Sequence, residues 1–184
     1  MKTERLASGL RVLFIGFNPS LRSHESGFNY AGRSNRFYTI LYHSGLTTRL
    51  FTPQESPLLL PEYGYGFTNI VARPTRRADE LSREEYREGA ILLRAKVETY
   101  RPKIACLVGK GVAQAFFGKA IRAFGFVESQ LVESQIDEET RYFVAPATSG
   151  LVRMKLEEQV EAYRALAWEV VKHPWPMRDE RGDA

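Results

Sequence analysis

Two periodicities alternate along this chain. Apolar runs of four or five residues, closed by glycine, asparagine or proline, are separated by longer stretches in which apolar residues return every three or four positions. Residues 12–15 (Val12, Leu13, Phe14, Ile15) end on Gly16 and Asn18-Pro19, the form of a buried strand that delivers the chain into a loop. Residues 104–108 repeat that form, and 67–71, leading into Arg73-Pro74-Thr75, are a second short strand candidate. A helix is expected over 35–44, with Phe37, Ile40 and Leu41 on one face and Gly45 as its stop. Ser82 and Glu85 make a capping box ahead of Tyr86, Ala90, Leu93, Val97 and Tyr100, and Gly109-Lys110-Gly111 leads into a helix carrying Val112, Ala113 and Phe116. Leu156, Val160, Tyr163, Ala167 and Val170 stripe a last helix over 153–172, stopped by His173-Pro174. Strand composition marks 124–131 and 141–145, with Asp137, Glu138 and Glu139 as the exposed turn between them. The three prolines within 52–66 predict irregular chain.

Strands separated by helices predict an α/β fold, a three-layer sandwich with a mostly parallel central sheet flanked by helices. Ligands of such sheets bind beyond the C-terminal ends of the strands. The loops at 16–35, 68–79 and 146–153 are therefore expected to wall one site. The polar loop at 19–35 is long enough to be functional, and its Phe28 and Tyr30 argue that it is ordered.

At 184 residues the chain suits one core, expected over 1–176, with 177–184 as a polar tail. No apolar run approaches the roughly 20 residues of a membrane helix, and the short strand after Met1-Lys2-Thr3-Glu4-Arg5 does not have the form of a targeting segment; a cytoplasmic location is expected. A single cysteine, Cys106, lies inside an apolar run and reads as a core thiol; with three scattered histidines, it gives no metal-ligand spacing. The formal charge of +4 is carried unevenly: seven Lys and Arg stand against Glu4 and Glu25 in residues 1–50. A basic face of that kind suits a polyanion.

The segment Gly16-Phe17-Asn18-Pro19-Ser20-Leu21, continuing through Gly27-Phe28-Asn29-Tyr30-Ala31 to Asn35-Arg36-Phe37-Tyr38, resembles the first motif of the mismatch-specific uracil-DNA and thymine-DNA glycosylases. The likeness continues through Ser44-Gly45-Leu46-Thr47, the run Thr68-Asn69-Ile70-Val71-Ala72-Arg73-Pro74-Thr75, Val108-Gly109-Lys110, and Pro146-Ala147-Thr148-Ser149-Gly150-Leu151-Val152-Arg153. It covers nearly the whole chain. It implies the α/β sandwich of the uracil-DNA glycosylase superfamily, a monofunctional hydrolysis of the N-glycosidic bond of uracil or a related damaged base, double-stranded DNA as partner, one subunit, and no cofactor.

By that resemblance Asn18 positions or polarises the attacking water, Tyr30 lies against the flipped base, and the backbones of Phe17 and Ser20 line the base pocket. Gly150, Leu151, Val152 and Arg153 match the wedge that fills the emptied stack, with Leu151 as its tip and Arg153 toward phosphate or the opposite strand. Ala147 departs from the Asn or Ser that relatives carry, and Ser20 from a frequent Gly. Two further candidates come from the residues themselves. Asp79 is a loop carboxylate able to act as a general base or to stabilise an oxocarbenium-like centre, with a solvated loop acid or a helix-cap residue as its alternative. Lys110, between strand and helix, is placed to meet a phosphate, as are Arg33, Arg36, Arg73, Arg76 and Arg77. Two other functions remain open at this point. One is a lesion-recognition module with weak or no catalysis, which Ala147 suggests; the other is a nucleotide-binding protein, which Gly109-Lys110-Gly111 suggests.

Overall fold

The computed structural model describes residues 2–128 and 139–175. Five strands form one sheet in the order β2-β1-β3-β5-β4. They are β1 (Val12–Gly16), β2 (Tyr65–Asn69), β3 (Ile104–Val108), β4 (Gly125–Phe126) and β5 (Arg141–Ala145). The first four in that order run parallel, and only β4, at the edge, is antiparallel. Six α-helices, α1 (Leu21–Ser26), α2 (Phe37–Ser44), α3 (Leu59–Tyr63), α4 (Arg83–Tyr100), α5 (Lys110–Phe117) and α6 (Leu156–Val170), complete the described fold.

Side chains of β1, β3 and β5 alternate between two buried layers, which is why these strands read as continuous apolar runs. Val12, Phe14, Ile104, Cys106 and Phe143 face α2 and α6, while Leu13, Ile15, Ala105, Leu107 and Val144 face α4 and α5. Burial on both faces makes the architecture the expected three-layer sandwich. The first layer is aromatic where it nears the loops. Phe14 packs edge-on to Phe37 at 5.2 Å, and Phe37 stacks on Tyr30 at 3.9 Å and 9°.

Several expected boundaries move. The 52–66 stretch is ordered, as a 3-10 helix at Pro53–Leu58 followed by α3. Glu55 reaches back to the Thr52 backbone at 2.8 Å, and Pro53 opens the turn with its φ already suited to it. Strand β2 starts two residues early, at Tyr65, because Tyr65 and Gly66 pair in register with Val12 and Leu13. Helix α1 lies within the expected 19–35 loop, capped by the Ser20 hydroxyl on Ser23 N–H at 3.1 Å and ended by Gly27. The 124–131 strand is two residues long where it is described, and 129–131 lies outside the described residues, as do Asp137, Glu138 and the 177–184 tail.

Candidate functional site

Beyond the C-terminal ends of β1, β2, β3 and β5 lies a cavity of about 270 Å³. It opens where the chain from β1 passes to β2 on one side and β3 lies on the other, the crevice that parallel sheets offer to ligands. All three loops expected to wall the site contribute, through Asn18, Thr75 and Ala147 among others.

The loop after β1 is stitched to the loop after β2. Gly16 and Phe17 carbonyls accept from Ile70 and Val71 N–H at 2.9 and 2.8 Å, and Ser20 bridges Thr75. That seam holds the Asn18 side chain. Its Nδ2 donates to the Arg73 carbonyl at 2.8 Å and to Thr75 Oγ1 at 2.7 Å. The Thr75 hydroxyl then donates to the Arg77 carbonyl at 2.7 Å. A carbonyl cannot donate, so the chain of bonds has one direction and the amide has one orientation. Both Asn18 N–H groups are spent, and its Oδ1 remains as an acceptor on a residue that lines the cavity. Arg73 is itself fixed: its guanidinium makes a bidentate pair with Glu85 at 2.6 and 3.0 Å, within the capping box of α4. That pair, with the Ser82 N–H, holds the Glu85 carboxyl down at about 2.

Tyr30 sits at φ 51, a region that a non-glycine residue occupies only when neighbours hold it there. Asn29 supplies the hold. Its amide donates to the Thr3 carbonyl at 2.6 Å and accepts from Arg5 Nε at 3.1 Å, while its carbonyl accepts from Tyr38 at 2.5 Å. Burial, with smaller contributions from Cys106 and Tyr38, pushes the Tyr30 phenol well above its ordinary range, so it is a neutral hydroxyl at any working pH. A Cβ on Gly16 would stand 3.6 Å from that hydroxyl and 2.9 Å from Asn69 Oδ1. Glycine at 16 thus keeps open the space between Tyr30 and Asn69.

Phe17 and Ser20 both line the cavity, although their side chains are committed elsewhere. The Phe17 ring packs edge-on to Tyr86 at 5.6 Å, and the Ser20 hydroxyl caps α1. Asp79 is not among the cavity-lining residues; its carboxylate pairs with Arg77 at 2.5 Å and is 61% exposed. Lys110 also stands apart from the cavity, its ammonium on the Arg122 carbonyl at 2.5 Å and 4.5 Å above the Phe124 ring. Of the five candidate arginines, Arg36, Arg73 and Arg77 are engaged within the protein. The guanidinium groups of Arg33, Arg76 and Arg153 are exposed and make no ion pair among the described residues. Leu151, on the turn between Ser149 and Arg153, is 85% exposed.

Asn69 and Thr75 are the site residues to which the sequence reading assigned no role. A signal existed for Asn69: a polar residue that ends an apolar parallel strand stands at the ligand-binding edge of the sheet, as Asn18 does just beyond β1. Among the described residues the cavity wall holds no Asp, Glu, His, Lys or Cys, and no three such metal-binding side chains converge anywhere. The wall is built of amides, hydroxyls, rings and two arginines, suited to a neutral planar ligand and a held water. A family model described as the Uracil DNA glycosylase superfamily matches residues 4–172. With that match across almost the whole chain, and with the sheet and cavity just described, this protein belongs to the uracil DNA glycosylase superfamily, whose members are hydrolases acting on DNA.

Proposed function

We propose that this chain is a monofunctional, mismatch-specific uracil-DNA glycosylase, acting as a single subunit on uracil flipped out of duplex DNA. The orientation of Asn18 carries the reading. With both amide hydrogens committed, Oδ1 accepts from a water and aligns it on C1′ of the extruded nucleotide. The water oxygen bonds to C1′, the C1′–N1 bond breaks, and its electron pair leaves with the base. The proton of the water ends on the base or in solvent, leaving an abasic sugar. With no carboxylate in the wall, much of the driving force comes from the leaving base, whose growing negative charge is met by hydrogen-bond donors of the pocket. Asn69, across Gly16 from Tyr30, is the side chain proposed to read the base edge. An extruded base costs a few kcal/mol in lost stacking and pairing, and the exposed Leu151 is proposed to fill the gap, with Arg33, Arg76 and Arg153 on phosphates.

Base release is the test. Uracil opposite guanine, uracil opposite adenine and single-stranded uracil are incubated with the wild type and Asn18→Ala, and the free base is read by mass. Release by the wild type with a loss of about 100-fold or more in Asn18→Ala, the scale of removing a group that acts in the transition state, is expected, with guanine-paired uracil the preferred duplex. Tight binding of uracil-containing duplex without release would instead support lesion recognition, a reading that Ala147 in the cavity wall favours.

A further inference from the structure

The apolar tip at Leu151 stands on a turn with two tightly bonded feet. Gln159, in the first turns of α6, is fully buried on the same face as Val160 and Tyr163. An apolar side chain would be the ordinary occupant there, and a buried amide is costly unless both of its ends are bonded. Both are: Nε2 donates to the Ala147 carbonyl at 2.8 Å, and Oε1 accepts from Arg36 Nη1 at 3.0 Å. The same Arg36 nitrogen donates to the Met154 carbonyl at 3.0 Å, and the Arg36 backbone N–H to the Thr148 carbonyl at 2.9 Å. One turn along α6, the Tyr163 hydroxyl holds the Pro146 carbonyl at 2.9 Å. Residue 147 on one side and 154 on the other are thereby fixed to one guanidinium–amide pair, with 146 and 148 held beside it by the Tyr163 hydroxyl and the Arg36 backbone. Between them the turn is short and braced, by Val152 N–H on the Ser149 carbonyl at 3.1 Å and Leu151 N–H on the Ser149 hydroxyl at 3.3 Å. Gly150 presses on Ser34, where a Cβ would come within 2.4 Å.

Resting on the glycosylase reading above, we propose that Arg36 and Gln159 are positioning residues for strand insertion: a clamp of the buried Gln159 amide and the half-buried Arg36 guanidinium that sets the height and direction of Leu151 against the DNA stack without touching substrate. Arg36, which the sequence offered as a phosphate contact, acts from inside the protein. A clamp of this kind governs the step in which a base leaves a duplex, and it is idle when the substrate has no stack to fill.

The experiment compares uracil release from duplex and from single-stranded oligonucleotides by the wild type, Gln159→Met, Arg36→Met, Leu151→Ala and the double variant Leu151→Ala/Gln159→Met. Methionine at 159 keeps the volume and removes both bonds. Duplex turnover is expected to fall roughly 10- to 100-fold, the scale of a displaced functional element, while single-strand turnover stays within about twofold. In the Leu151→Ala background the Gln159→Met change adds nothing further on duplex, since the clamp acts through that side chain. Native-state trypsin cleavage after Arg153 reads the same loop without DNA and is expected to accelerate in Gln159→Met about tenfold beyond what its loss of global stability accounts for, because a local opening has become easier. Equal losses on duplex and single strand, additive losses in the double variant, or unchanged cleavage after Arg153 each overturn the clamp. No uracil release by the wild type from either substrate overturns the glycosylase reading itself, and the wedge role with it.

Discussion

Replacing Thr75 by valine tests whether the orientation of Asn18 is what makes the site reactive. Thr75 is 4% exposed, and valine matches its shape while deleting both bonds of the hydroxyl. One deleted bond is the 2.7 Å acceptance from Asn18 Nδ2, the other the 2.7 Å donation to the Arg77 carbonyl. The carbonyl belongs to an exposed residue and is rehydrated. The Asn18 N–H faces a methyl group, and the amide keeps only its bond to the Arg73 carbonyl. A neutral hydrogen bond is worth about 0.5–1.5 kcal/mol net. If that bond is what stands between the productive amide and a tilted one, the rate falls by a factor of roughly 2–13 at about 1.4 kcal/mol per decade. The loss of the two bonds also lowers stability by about 1–2 kcal/mol, a few degrees in Tm for a chain of this size.

The assay is single-turnover uracil release at several substrate concentrations. The loss is expected in the chemical rate and not in KM, since in the proposed mechanism Thr75 acts through Asn18 on the water and not on the base. Thr75→Ser restores the rate because it restores the hydroxyl. Asn18→Ala/Thr75→Val is no slower than Asn18→Ala alone, since the relay has nothing left to orient. A serine variant as slow as the valine one, or losses that multiply in the double variant, would refute the reasoning.

Other expectations follow from single features. Gly16→Ala places a methyl 2.9 Å from Asn69 Oδ1 and is expected to cut kcat/KM for uracil roughly 10-fold or more, on the scale of misplacing one pocket group, at nearly unchanged Tm; unchanged kcat/KM would remove Asn69 from the base site. Asp79→Asn is expected to leave turnover within about threefold, the range of an ordinary surface change, because its carboxylate pairs with Arg77 outside the cavity; a collapse of the rate would return Asp79 to the chemistry. The Glu85 carboxyl lies at about 2 against an ordinary 4.5, chiefly through Arg73 and then the Ser82 N–H. Its contribution to stability is therefore complete above pH 4.5 and fades as pH falls toward 2. Denaturant unfolding at stepped acid pH should show a flatter limb in Glu85→Gln. Single Gln replacements of Arg33, Arg76 and Arg153 are expected to reduce the slope of log affinity against log salt by about 0.9 for each phosphate that is no longer neutralised, and an unchanged slope removes that residue from the DNA face.

The sheet was legible because its central strands are buried on both faces, so that Val12 to Ile15 and Ile104 to Val108 had to be apolar throughout. The start of β2 was hidden by Gly66, which reads as a breaker. In the fold it is a strand residue at which the chain from the N-terminus approaches too closely for any side chain: a Cβ there would meet Leu10 at 2.3 Å and the Arg5 carbonyl at 2.6 Å. Helix α1 was hidden for the opposite reason. Its only buried residue is Ser23, so no apolar stripe exists to be read, and it is held by its caps and by the bond from Ala31 N–H to Ser23 Oγ at 3.1 Å.

Of the site, the identities were more legible than the directions. Asn18 stood out through its motif, but a free asparagine can donate as well as accept, and which it does depends on Arg73 and Thr75, 55 and 57 residues further on. The same dependence on the folded chain defeats a sequence reading of Asp79, whose outward turn is set by its neighbour Arg77 and by the backbone bond of Arg77 to Glu80 at 2.8 Å. These two outcomes belong together. A carboxylate in the cavity would draw the proton from a water, and chemistry would then follow its titration. With that carboxylate outside the cavity and the Asn18 amide locked as an acceptor, the proposed mechanism has the site orient a neutral water and leave bond breaking to the departing base. On that proposal, selectivity depends on how well a base leaves and how easily it unstacks. A site working as proposed would suit weakly paired uracil in a duplex, and it would make the bonds that hold Asn18 and the loop carrying Leu151 as consequential as the groups that touch the substrate.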